Sequence, residues 1–189
     1  MRGIHYRHFL IYVLILLFQV LSPGYGQTET TSEVDVKAAY IFNFAKFVEW
    51  PEKAFASKTS PIVLCVLGDD PVGESLTSLE NKKIKGRSLM VIREPADNQI
   101  ASSHILYICD SERKNVIHIL SRLAGKSSLT VGSIKNFPAM GGMIGFIRKG
   151  NNIRFEVNLE AVNNGNLSIS SRLLNLAQIV KGSGGASQR

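Results

Sequence analysis

"PIVLCVLGDDPVG", residues 61–73, is the stretch whose reading decides the fold. Ile62 to Leu67 run without a polar break, and a Gly/Asp/Pro loop follows at once. A short, continuous apolar run closed by turn signals reads as a strand buried on both faces, the kind found in parallel sheets. The "GDDP" loop reads as a turn plus a helix N-cap, and a short helix is expected from Val72 to Leu79.

Working outward, the same unit repeats. "RSLMVIRE" is a strand, "DNQIA" a short helical connection and "HILYICD" another strand. "SERKNVIHILSRLAG" is a helix begun by Asp110 or Ser111 and closed by Gly125, and "SLTVG" is a fourth strand. Strands alternating with helices predict an α/β domain with a mostly parallel sheet. The rhythm then changes. "GGMIGFIRKGNNIRFEVN" reads as an antiparallel hairpin turning near Gly150 and Asn151, with Ile153, Phe155 and Val157 alternating against polar neighbours. A last helix is expected from about Ser170 to Val180.

Upstream stands "KAAYIFNFAKFVEWP", residues 37–51, with five aromatic residues in fifteen. A helix is expected from about Val34, after Ser32, to Trp50, with Pro51 ending it. Tyr40, Ile41, Phe44, Ala45, Phe47 and Val48 share one broad arc and read as the core face. Phe42 and Trp50 fall among the polar residues and are candidates for contact with another protein.

Residues 1–26 have the layout of a secretory signal peptide. Arg2 and Arg7 precede an apolar run from Phe9 to Leu21, and small residues flank Tyr25 before Gln27. The run is shorter than the roughly 20 residues a bilayer span needs, so export with cleavage is expected over a retained anchor. Residues 27–33 read as a disordered linker, 34–181 as the domain and 182–189 as a flexible tail. Without residues 1–26, 20 basic side chains face 15 acidic ones, for a net charge of +5. No Lys/Arg cluster or aromatic–basic interleaving stands out, and no nucleic-acid partner is expected.

Chemistry is sparsely indicated. The loop after the first strand lacks the G-x-G-x-x-G spacing and the phosphate-loop lysine, and it offers Asp69 and Asp70 where an anion would sit. This is a Rossmann-like arrangement without a nucleotide site. Only His104 and His118 follow the export signal, with no His or Cys at metal-ligand spacing. No G-x-S-x-G motif or Ser/His/Asp order is present. The glycines of "MGGMIGF" lead into a strand, where tight packing or a bulge accounts for them. No enzyme activity, metal or cofactor is expected. Cys65 and Cys109 form an even pair in an exported chain, yet both lie in apolar runs, so a disulfide between them stays open.

"KAAYIFNFAKFVEWP", "LCVLGDDPVG", "GGMIGF" and "IRFEVNLEAVNNGNLSISSRLLNLAQIV", in that order across about 34–181, resemble the YfiR family of bacterial periplasmic proteins. The resemblance implies an α/β domain that dimerises in the periplasm. It also implies docking on the periplasmic region of an inner-membrane diguanylate cyclase that is held inactive until envelope or redox stress releases it. Cyclic di-GMP signalling and biofilm formation would follow that release. In many relatives the strand cysteine has a partner just before the third strand. Ser103 stands at that place here, and Cys109 lies six residues further, a displacement of about 20 Å along a strand. Arg172, near the last helix, joins Phe42 and Trp50 as a candidate partner-binding residue. The alternative reading is a periplasmic small-molecule-binding protein feeding a sensor or transport system, with ligand at the carboxyl ends of the strands or in a dimer cleft.

Overall fold

The computed structural model describes residues 31–182. The expected signal peptide, residues 27–30 of the expected linker and residues 183–189 of the expected tail lie outside them. Helix α1 (Thr31–Phe47) comes first. Its buried face carries Val34, Ala38, Ile41, Phe44 and Ala45, the helical spacing that the sequence displays. Phe44 meets Phe155 edge-on at 4.9 Å, and Tyr40 meets the same ring at 5.4 Å. Phe146 completes this aromatic cluster, 6.0 Å from Phe44. Aromatic pairs in such geometry hold a helix in place beyond what area burial alone gives.

The sheet has eight strands in the order β10-β8-β7-β6-β5-β2-β4-β3. Their spans are β2 (Ile62–Leu67), β3 (Lys83–Ile84), β4 (Arg87–Arg93), β5 (Ile105–Ile108), β6 (Leu129–Gly132), β7 (Ile144–Lys149), β8 (Asn152–Asn158) and β10 (Gln178–Val180). β2, β4, β5, β6 and β7 run parallel, and β3 and β8 run antiparallel to their hairpin partners β4 and β7. The helices are α2 (Pro71–Thr77), α3 (Asp97–Ala101), α4 (Val116–Arg122), α5 (Leu159–Asn164) and α6 (Ser171–Leu174). Alternate residues of β2 enter two cores. Leu64 and Val66 join α1 and α2 in one, while Cys65 joins Val116, Ile119 and Leu123 of the α4 region in the other. The continuous apolar run is thus explained by a strand covered on both faces.

The helix expected over 170–180 is not formed as one element. α6 stops at Leu174, and residues 178–180 instead extend the sheet as β10, parallel to β8, with Ile179 opposite Val157. The outer edge of β8 offered unpaired backbone groups, and pairing them outweighed local helix preference. Helix α1 also ends earlier than expected. Val48 and Glu49 leave it as β1 to pair with Ile169 and Ser168 of β9 (Ser168–Ile169). At its other end α1 already includes residues 31–33, assigned above to the linker. Over 110–125 the expected helix divides into a 3-10 turn (Asp110–Glu112) and α4. No helix among the described residues is long and apolar enough to cross a membrane.

Candidate functional site

In an open α/β sheet, ligands enter at the carboxyl ends of strands where the strand order reverses. Here that point lies between β2 and β5, because β2 is followed in space by β4 on one side and β5 on the other. Protein groups close it. Asp70 caps α2, accepting from the amides of Val72 at 2.8 Å and Gly73 at 3.2 Å, as the sequence predicts for this loop. Its other oxygen accepts from the Tyr107 hydroxyl at 2.7 Å, and Tyr107 also bonds Ser133 at 2.8 Å. The Asp69 amide donates to the Ser111 hydroxyl at 3.0 Å. Gly68, at φ +90°, lies so near Ser111 that a Cβ would stand 2.4 Å from that hydroxyl. Burial first, then the charge of Asp70, raises Tyr107 well above the usual phenol value. The network is neutral at the phenol and carries charge at Asp69 and Asp70. A phosphate at this loop would meet the Asp69 and Asp70 carboxylates.

"MGGMIGF" is explained by packing. A Cβ on Gly142 would stand 2.2 Å from the Phe137 ring, which is fully buried against β6 and β7. The glycines admit that ring.

Trp50 is half-buried and donates its indole N–H to the carbonyl of His104 at 3.1 Å. The His104 ring fixes the loop that follows Pro51. Its Nδ1 accepts from the Val63 amide at 3.1 Å, so its proton sits on Nε2, which donates to the Ala54 carbonyl at 3.0 Å. Phe55 stacks on the imidazole at 4.5 Å, and the Arg87 guanidinium covers the other face of Phe55 at 3.7 Å. Burial, and secondarily the charge of Arg87, hold His104 below the ordinary histidine value. Trp50 therefore anchors a loop across the start of β5.

The other sequence candidates lie elsewhere. Phe42 is half-buried, with the Lys46 ammonium 4.3 Å and the Lys82 ammonium 5.9 Å from its ring centre. Arg172 is exposed on α6. Cys65 and Cys109 are free, buried thiols in the two different cores, on opposite faces of the sheet. The bridge left open by the sequence is not made here, because side chains aimed to opposite faces cannot meet. Burial pushes Cys65 up to about 11 and raises Cys109 further, so neither is a ready thiolate. Ser103, at the place of the relatives' second cysteine, is buried and bonds Ser128 at 3.0 Å.

Two surface features escape the sequence reading. One is the outer edge of β10, where Leu176 (61%) and Ile179 (48%) are exposed. They look like core residues in a helical pattern, and only the strand pairing reveals their exposure. The other is "KKIKGR", residues 82–87, four cations in six positions, which corrects the expectation of no basic cluster. Cavities open at two further places. One of about 390 Å³ is lined by Leu120, Thr130, Met140, Met143 and Asn158. Another of about 370 Å³ lies between Trp50, Phe55, Lys85 and Arg87. Among the described residues no group of three or more His, Cys, Asp or Glu is placed to hold a metal ion.

The fold is a three-layer α/β domain whose crevice at the switch in strand order is bridged by Asp70, Tyr107 and Ser133. Residues 34–178 match the YfiR/HmsC-like family model, and the chain belongs to that family. It is a periplasmic, regulatory family connected with diguanylate cyclase signalling. No curated protein matches the chain.

Proposed function

We propose that this protein is a periplasmic repressor that docks on the periplasmic region of an inner-membrane diguanylate cyclase and holds it inactive, lowering cyclic di-GMP and restraining biofilm formation. It acts by binding, without turnover. The observation that carries the reading is the outer edge of β10, which pairs with no strand among the described residues and beside which Leu176 and Ile179 are exposed. An extended segment of a partner pairs with such an edge through main-chain hydrogen bonds, while exposed apolar side chains supply the affinity. Arg172, exposed just upstream, is the proposed charged contact. The rings of Phe42 and Trp50 have neighbours within the domain, so their part in cyclase docking is subordinate. Moving a cyclase from 1:99 to 99:1 in favour of its inactive form takes about 5.5 kcal/mol of differential affinity.

The test is a photo-crosslinking residue at position 179 in living cells, read together with cyclic di-GMP. A crosslink to a membrane protein bearing a cyclase domain, and a rise in cyclic di-GMP on Ile179→Asp, are the expected results. An unchanged cyclic di-GMP level after deletion of the protein sinks the reading. The homodimer implied by the resemblance belongs to the same proposal. Light scattering measures it, and a dimer broken by Ile179→Asp would assign the edge to self-association instead of the cyclase.

A further inference from the structure

We propose that the β3–β4 turn and the adjoining face of α1 form a docking surface for an anionic phospholipid membrane. Lys82, Lys83 and Lys85 are exposed at the end of the sheet where β3 has no further neighbour among the described residues. The turn reverses tightly through Lys85 (φ 51°) and Gly86 (φ 83°). α1 adds Lys46, and the Lys46 and Lys82 ammonium groups converge on the single half-buried ring of Phe42. Two elements far apart in sequence are thereby joined into one basic–aromatic patch. Its acids are Glu49, which pairs with Lys85, Glu52, which lines the same cavity as Lys85 and Arg87, and Glu80, just before the turn. Six cations (Lys46, Lys58, Lys82, Lys83, Lys85 and Arg87) against these three acids leave +3.

Edge protection accounts for a lysine on β3, since charged side chains deter strand pairing. It does not account for Lys46 and Lys82 meeting over Phe42, away from the strand. Lipid chemistry does. An anionic leaflet attracts each nearby Lys or Arg by about fivefold in binding, additively and without a shaped partner. An aromatic ring beside basic side chains suits the headgroup boundary, where the ring enters and the flexible ammonium groups rise to the phosphates. Charges on the rim of a protein interface act more on encounter rate than on affinity. The periplasmic setting of the family brings an anionic leaflet within reach of the domain. The inference does not require a cyclase partner and stands or falls apart from that reading.

The experiment is sedimentation of the protein, purified from the periplasm, with phosphatidylcholine vesicles with and without phosphatidylglycerol. Binding is expected only to vesicles containing phosphatidylglycerol, with release at high salt. The double variant Lys82→Gln/Lys83→Gln should bind about 30-fold more weakly. Lys114→Gln/Lys149→Gln removes the same charge from exposed positions elsewhere and should bind as the unaltered protein does. No dependence on phosphatidylglycerol, or equal loss in both double variants, would overturn the proposal. So would a patch that captures an acidic protein while ignoring every vesicle.

Discussion

The centre of the sheet and its two ends handle polarity in opposite ways. At the carboxyl ends of β2 and β5, Asp70, Tyr107 and Ser133 bond one another, and the Asp69 amide donates to Ser111. At one end of the sheet β10 leaves an edge open beneath exposed Leu176 and Ile179, and at the other the β3–β4 turn gathers lysines. A fold whose relatives by architecture place chemistry in the central crevice has here made that crevice structural. The proposed docking surfaces lie instead at the two ends of the sheet.

The sharpest way to break this contrast is to weaken the centre. Phe44→Ala removes a fully buried ring from the aromatic cluster and should destabilise the domain by about 3–5 kcal/mol in urea unfolding. A loss under about 1 kcal/mol would mean that α1 is not part of the core. Asp70→Ala takes away the α2 cap and a partner of Tyr107 and should cost about 1–2 kcal/mol. If it cost nothing, the closed crevice would not be structural, and a ligand role there would need to be reopened.

The His104 anchor sharpens the contrast through pH. The charged groups around it, Arg87, Lys53 and Lys126, are all cations. Burial first, and then the charge of Arg87, makes the folded chain take up a proton at His104 less readily than the unfolded chain, whose value is near 6.5. Stability should be complete above about pH 6.5. Below that it should decline by at most about 1.4 kcal/mol per unit, until the lower folded value is reached. His104→Asn keeps an acceptor for the Val63 amide, so it should lower stability at neutral pH while flattening the acid slope. Equal slopes in both proteins would remove His104 as the cause. The smallest effect is expected at the perimeter. Ile179→Asp should change unfolding stability by less than about 1 kcal/mol while abolishing docking, since only about half of the side chain is covered.

Much of the interior was legible from the chain. The run Ile62–Leu67, the α1 stripe ending in Phe44 and Ala45, and the cap at Asp70 each carry a local pattern whose period or chemistry permits one fold. The perimeter was not. Leu176 and Ile179 have the spacing of a helix, and Val48–Glu49 look like the continuation of one. Both segments became strands because distant edges, at β8 and β9, had backbone groups to pair. The thiols illustrate the same limit, since their positions in the chain do not state which face of the sheet each side chain enters.

The amino-acid sequence by itself determined a mostly parallel α/β domain and its core helix, because burial periodicity and capping are local; the family follows separately, from the match over residues 34–178. Only the tertiary structure decided that Asp70, Tyr107 and Ser133 bridge the central crevice, that Lys46 and Lys82 share the ring of Phe42, and that residues 178–180 pair with β8 as a strand. Those outcomes depend on which unpaired backbone and side-chain groups meet in space, and no local pattern encodes that meeting.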